Sequence, residues 1–93
     1  MSHERFASVW EAIEDDPRQA ENLKLRSQLM IALTEHLSKE GLSQAQAAER
    51  LGLTPPRILD LMRGKIELFG LDALVDMASA AGLRVEMKVE KAA

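Results

Sequence analysis

The sequence has no cysteine, no tyrosine, one tryptophan and two histidines, and each shortage removes a class of chemistry. Without cysteine there is neither a disulfide framework nor a thiolate metal site. His3 and His36 are isolated from one another, with no partner at ligand spacing, so no metal ligands are assigned. No apolar run approaches the length of a membrane span, and nothing at the N-terminus reads as a secretory leader. The expectation is a cytoplasmic protein with no membrane partner. Catalytic groupings are missing too. Glu11, Glu14, Asp15 and Asp16 follow one another along one segment rather than converging from separate elements. No nucleophile is paired with a base, and no glycine-rich loop is built for phosphate. We therefore expect no catalytic residues, no cofactor and no enzyme. Positive charge is scarce as well: 12 lysines and arginines face 15 carboxylates, a net charge of −3, which argues mildly against nucleic acid.

Local patterning points the other way. With 93 residues the chain makes one domain, and its centre is the stretch from Leu42 to Lys65. Ser43 is a favoured N-cap, and Gln46 three residues on completes a capping box. Ala47, Ala48 and Leu51 then recur at helical spacing until Gly52 ends the helix. Thr54 is placed to cap a second helix, and Pro55 fits its first turn, where a missing N–H costs nothing. Ile58, Leu61 and Met62 form the inward stripe of that helix, and Gly64 stops it. The small side chain of Ala48 lets the two helices cross closely. From Ser43 to Lys65 the cations Arg50, Arg57, Arg63 and Lys65 face only Glu49 and Asp60, a local balance of +2.

This set of residues resembles the helix-turn-helix of the phage-repressor and Cro superfamily, the xenobiotic-response-element type. Counted from Gln44, Ala48 is fifth, Gly52 ninth and Ile58 fifteenth, with Leu51, Leu53 and Leu61 in the usual core places and R-G-K following. Together with S-V-W-E-A-I upstream, F-G-L-D-A-L downstream and the terminal V-E-M-K-V, the layout is similar to the HigA-like antitoxin group over nearly the whole chain. An ordinary helical hairpin does not need that residue set.

The resemblance implies a second motif helix in the major groove of double-stranded DNA. It implies Ser43 and Gln44 at a phosphate, and Thr54, Pro55, Pro56, Arg57 and Asp60 facing bases. Arg63 and Lys65 are expected at phosphates. Arg57 is the candidate for direct readout, since a guanidinium pairs bidentately with guanine O6 and N7. Asp60 is placed to orient Arg57 or to accept from cytosine N4. Two departures stand out. The adjacent prolines carry no side-chain donors or acceptors, and Leu59 occupies a place where many relatives have a small hydroxyl residue. Two functions follow as expectations: an autorepressing antitoxin of a toxin–antitoxin pair, with a RelE/HigB-like toxin as partner, or a protein-interaction module that neutralises a partner with little DNA binding.

Around the motif, residues 1–14 read as an N-terminal arm containing a short helix. Phe6, Val9, Trp10 and Ile13 fall on one helical face, which either packs against the protein's own core or docks on a partner with Phe6 and Trp10 as candidate anchors. Residues 15–82 read as the DNA-binding domain, with the motif at 43–63. Asp16 and Pro17 start the longest helix, which runs to about Glu40 and stops at Gly41. Ala20, Leu23, Met30, Leu33 and Leu37 lie on one side of it, and Leu25, Leu29 and Ile31 broaden the stripe to more than one buried face. Lys24 and Arg26 are expected to be solvated. After the motif, Phe69 plugs the core, Gly70 caps a last helix carrying Leu71, Leu74, Val75, Ala78 and Ala81, and Gly82 ends it. The exposed N–H groups near Gly70 and Leu71 are a further place for a phosphate. In residues 83–93 the period changes to two. Leu83, Val85, Met87 and Val89 alternate with Arg84, Glu86, Lys88 and Glu90, which predicts one β-strand. The chain offers this strand no clear partner, so Arg84–Glu90 are assigned to pairing across a homodimer. The predicted fold is thus mainly α: five helices with one C-terminal strand.

Overall fold

The computed structural model describes residues 16–92. Within them lie four α-helices: α1 (Pro17–Glu40), α2 (Gln44–Leu51), α3 (Pro55–Met62) and α4 (Leu71–Ala80), with a single 3-10 turn, Ile66–Leu68, between α3 and α4. The fold is mainly α. The predicted first helix, with Phe6 and Trp10, falls outside the described residues.

Each helix begins and ends where local chemistry dictates. Asp16 caps α1 by accepting from the Arg18 N–H at 3.0 Å, and Pro17 sits in the first turn, where its lack of a donor is harmless. At the other end Gly41 takes the left-handed conformation and donates to the Ser38 carbonyl. On α2 both bonds of the capping box form: the Ser43 hydroxyl accepts from Gln46 N–H at 3.1 Å, and Gln46 Oε1 accepts from Ser43 N–H at 2.9 Å. Gly52 closes α2 at φ 68°, in the left-handed region that only glycine enters cheaply, and Leu53 N–H then returns to the Ala48 carbonyl at 2.8 Å.

Among the described residues the core is aliphatic, with one ring, Phe69, at its centre. Phe69, Leu33, Ile58, Leu61 and Leu74 are its largest fully buried side chains, supplied by α1, α3, α4 and the segment before α4. Each stabilises the fold by roughly 1.5–3 kcal/mol relative to exposure. Ala47 and Ala48 are also buried, which sets α2 and α3 close together. Three polar links tie α1 to what surrounds it. His36 Nε2 lies 3.0 Å from the Ala81 carbonyl and 2.9 Å from Glu40 Oε1. Facing two acceptors, that nitrogen must carry the proton. Glu40 also pairs with Arg50 of α2. Further up the helix Arg26 reaches the Ile66 carbonyl at 3.4 Å and is part-buried, so the expectation of a solvated Arg26 is corrected.

Other expectations are corrected by packing. Ile31 is 56% exposed and Leu25 39%, because α1 buries only the face carrying Met30, Leu33 and Leu37. Met62, expected inward, is 42% exposed, since α3 turns only Ile58 and Leu61 fully into the core. Among the described residues no strand forms. Residues 83–92 carry no regular secondary structure, because a strand is defined by its ladder bonds and no described segment lies alongside to supply them. The period-two pattern is nonetheless visible in the side chains. Arg84 approaches Glu86 at 3.6 Å and Lys88 approaches Glu90 at 2.8 Å, so the members of each i, i+2 pair share a side.

Candidate nucleic-acid interface

The exposed surface of α2 and α3 is assembled by the turn between them. Ala48 leaves room for α3 to approach, Gly52 reverses the chain, and the start of α3 arrives beside the start of α2. A direct bond holds this arrangement: Gln44 Nε2 donates to the Pro55 carbonyl at 3.2 Å. One amide proton of Gln44 remains for another acceptor, since a carboxamide carries two. The Ser43 oxygen, by contrast, is already engaged in the capping box.

The tip of α3 differs from expectation in its capping. Thr54 stands at the N-cap position with φ −79° and ψ 155°, yet its side chain makes no capping bond. Pro55 and Pro56 have no N–H, so of the two donors an N-cap side chain can accept from, that at Pro56 is deleted and that of Arg57 remains. The Ile58 N–H bonds to the Thr54 carbonyl at 3.1 Å. The Thr54 hydroxyl is left without a capping partner, next to two exposed pyrrolidine rings.

The charged residues are more constrained than their sequence positions imply. The Arg57 guanidinium lies 4.0 Å from the centroid of the Phe69 ring, and it is half-buried over a ring with no solvent exposure. Asp60, the expected partner of Arg57, instead faces Lys65, with Nζ 3.5 Å from Oδ1. Arg50 is paired with Glu40 at the far end of α2. Of the four cations in the motif, Arg63 alone is both exposed and outside the ion pairs and stacking contacts formed among the described residues. Gly70, at the start of α4, makes no side-chain cap either, but Asp72 in that first turn opposes an anion there.

One feature of α3 went unread in the sequence. Pro55, Leu59 and Met62 recur at i, i+4 and i+7, and with Pro56 they form an exposed apolar stripe, Leu59 at 37% and Met62 at 42%. Their spacing was available; what hid it was that Met62 also fits the inward stripe. Leu59 and Met62 border a shallow groove of about 210 Å³, whose other wall is Leu37, Leu42, Ala47 and the start of α2. No cluster of metal-ligating side chains occurs among the described residues, and none of their helices is long and apolar enough to cross a membrane.

Comparison with known proteins agrees with this geometry. A family model described as a helix-turn-helix domain matches residues 12–90. A solved chain described as an XRE-family transcriptional regulator is similar at 33% identity and a TM-score of 0.73, covering 78% of this chain and 82% of that one. A search of curated proteins finds no match.

Proposed function

The chain belongs to the helix-turn-helix domain family, and from that premise we propose that it is a DNA-binding transcriptional regulator, the autorepressing antitoxin of a toxin–antitoxin pair, acting in the cytoplasm as a homodimer. The observation that carries the DNA-binding reading is the Gln44–Pro55 bond, which sets the start of α2 beside an exposed α3 tip. In this reading Thr54, Pro55 and Pro56 enter the major groove. Ser43, Gln44, Arg63 and Lys65 lie along the phosphates, with Arg57 and Asp60 on the flank of the helix. The dimer is made by residues 84–90 of two copies, and Phe6 and Trp10 anchor a RelE/HigB-like toxin.

A second reading is a protein-interaction module that neutralises a partner with little DNA binding. The apolar stripe on α3 and the engagement of Lys65 and Arg57 within the fold favour it. A gel-shift titration with the DNA upstream of the gene separates the two. Each phosphate contact contributes about 0.9 to the slope of log affinity against log salt. The regulator reading expects a steep slope, lowered by about one unit in Lys65→Ala. Binding no tighter than to unrelated DNA sinks it. For the toxin, deleting residues 1–14 is expected to abolish co-purification while leaving the melting temperature nearly unchanged. A large fall in melting temperature instead places that arm on the protein's own core.

A further inference from the structure

We propose that the exposed face of α3 selects DNA by the 5-methyl groups of thymine, so that its half-site is defined by thymines at the tip of the helix and not by a guanine contact. The inference rests on the DNA-binding reading above and names what that site recognises.

It follows from which groups are free at the tip. Pro55 and Pro56 are exposed and present only carbon to a base. Leu59, one turn on, is 37% exposed on the same side. The one polar side chain at the tip is Thr54, which also carries a methyl group. The two side chains of this helix best suited to read guanine or cytosine, Arg57 and Asp60, are held elsewhere. The Arg57 guanidinium lies over Phe69 at 4.0 Å, and Asp60 faces Lys65 at 3.5 Å. Releasing Arg57 to a guanine would uncover the ring and forfeit the cation–π contact, a loss that works against what a bidentate base contact supplies. Of the four base edges in the major groove, only thymine offers a carbon group, its C5-methyl.

A protein partner fits this face less well. Lysine is depleted at protein interfaces, and Lys65 follows directly at the end of the helix. A stable interface also draws on about 20–30 residues a side. Four apolar side chains on one short helix are too few, but they match the few base pairs one recognition helix spans.

The test begins with the full chain and a random duplex library. Selection is expected to recover half-sites containing thymines. Replacing those thymines with uracil removes only the methyl groups, and is expected to weaken binding about fourfold per methyl, the worth of one buried CH2-sized group. Uracil placed in the flanks is expected to have no effect. Leu59→Ala should bring the thymine-to-uracil ratio towards one at a single position. Equal affinity for the thymine and uracil duplexes, or a recovered half-site without thymine, overturns this inference while leaving DNA binding in place. Recovery of no preferred duplex overturns both.

Discussion

Arg57 shows how a single residue can be claimed by two tasks. From its position in the motif it is expected on the DNA face, yet its guanidinium covers Phe69, the one aromatic ring of the core among the described residues. Arg57→Ala is therefore expected to lower stability by about 0.5–2 kcal/mol even without DNA, measured by urea unfolding. No change in the unfolding midpoint would mean that the stacking contact contributes nothing in solution. Gly52 is a cleaner case. A Cβ built there meets nothing within 4 Å, so the cost of Gly52→Ala is conformational alone. Holding an L-residue at φ 68° should cost about 1–2 kcal/mol. Asparagine at the same position should cost less, because its side chain tolerates the left-handed region. Equal losses for alanine and asparagine would contradict that account.

At the scale of elements, what governs α3 is its distance from α2. Ala48 is 4% exposed where the helices cross, and its carbonyl also takes the turn's Leu53 N–H. Ala48→Leu should overpack this crossing at about 1–3 kcal/mol. It should harm DNA binding more than stability, because the displaced helix is the one proposed to enter the groove. Comparing its unfolding midpoint with its gel-shift affinity checks this, and unchanged affinity would place the recognition surface elsewhere. The same contrast explains what the sequence could reveal. The capping box, the left-handed glycines and the inward stripe of α2 are set by neighbours within a few residues, so Ser43, Gln46, Ala47, Ala48, Leu51 and Gly52 were all legible. The contacts of Arg57 with Phe69, Arg26 with the Ile66 carbonyl and His36 with the Ala81 carbonyl join residues 12 to 45 positions apart. Periodicity carries no information about them. Met62 failed for another reason: on a helix this short, several apolar residues satisfy more than one face, and only packing chooses between them.

For the whole molecule, we propose that the tail at 83–92 pairs with its own copy. Among the described residues Val89 is 85% exposed and Met87 73%, an apolar row beside a charged one. A strand pattern without a ladder leaves backbone donors and acceptors unpaired, and in the proposed dimer a second copy supplies both the ladder and the cover. The charges choose the register. With two tails antiparallel and Met87 opposite Met87, Arg84 faces Glu90 and Glu86 faces Lys88, so the local pairs Arg84–Glu86 and Lys88–Glu90 exchange for cross-strand ones. Each opposite-charge pair contributes about 0.2–1 kcal/mol. In-register parallel pairing instead sets like charges side by side. On the other face Val85 meets Val89 across the axis. Such a dimer presents two copies of α3 to a palindromic site about one helical turn of DNA apart. A two-stranded ribbon alone is marginal, so α4 is expected to add contacts across the axis through Val75, which is only half-buried in the single chain. The decisive experiment is a charge swap followed by sedimentation. Glu86→Lys alone should weaken the dimer by setting lysine against Lys88 at two symmetric places, and adding Lys88→Glu should restore it. A wild-type monomer at micromolar concentration, or a double variant no tighter than the single, would show that the tail is covered by something other than its own copy.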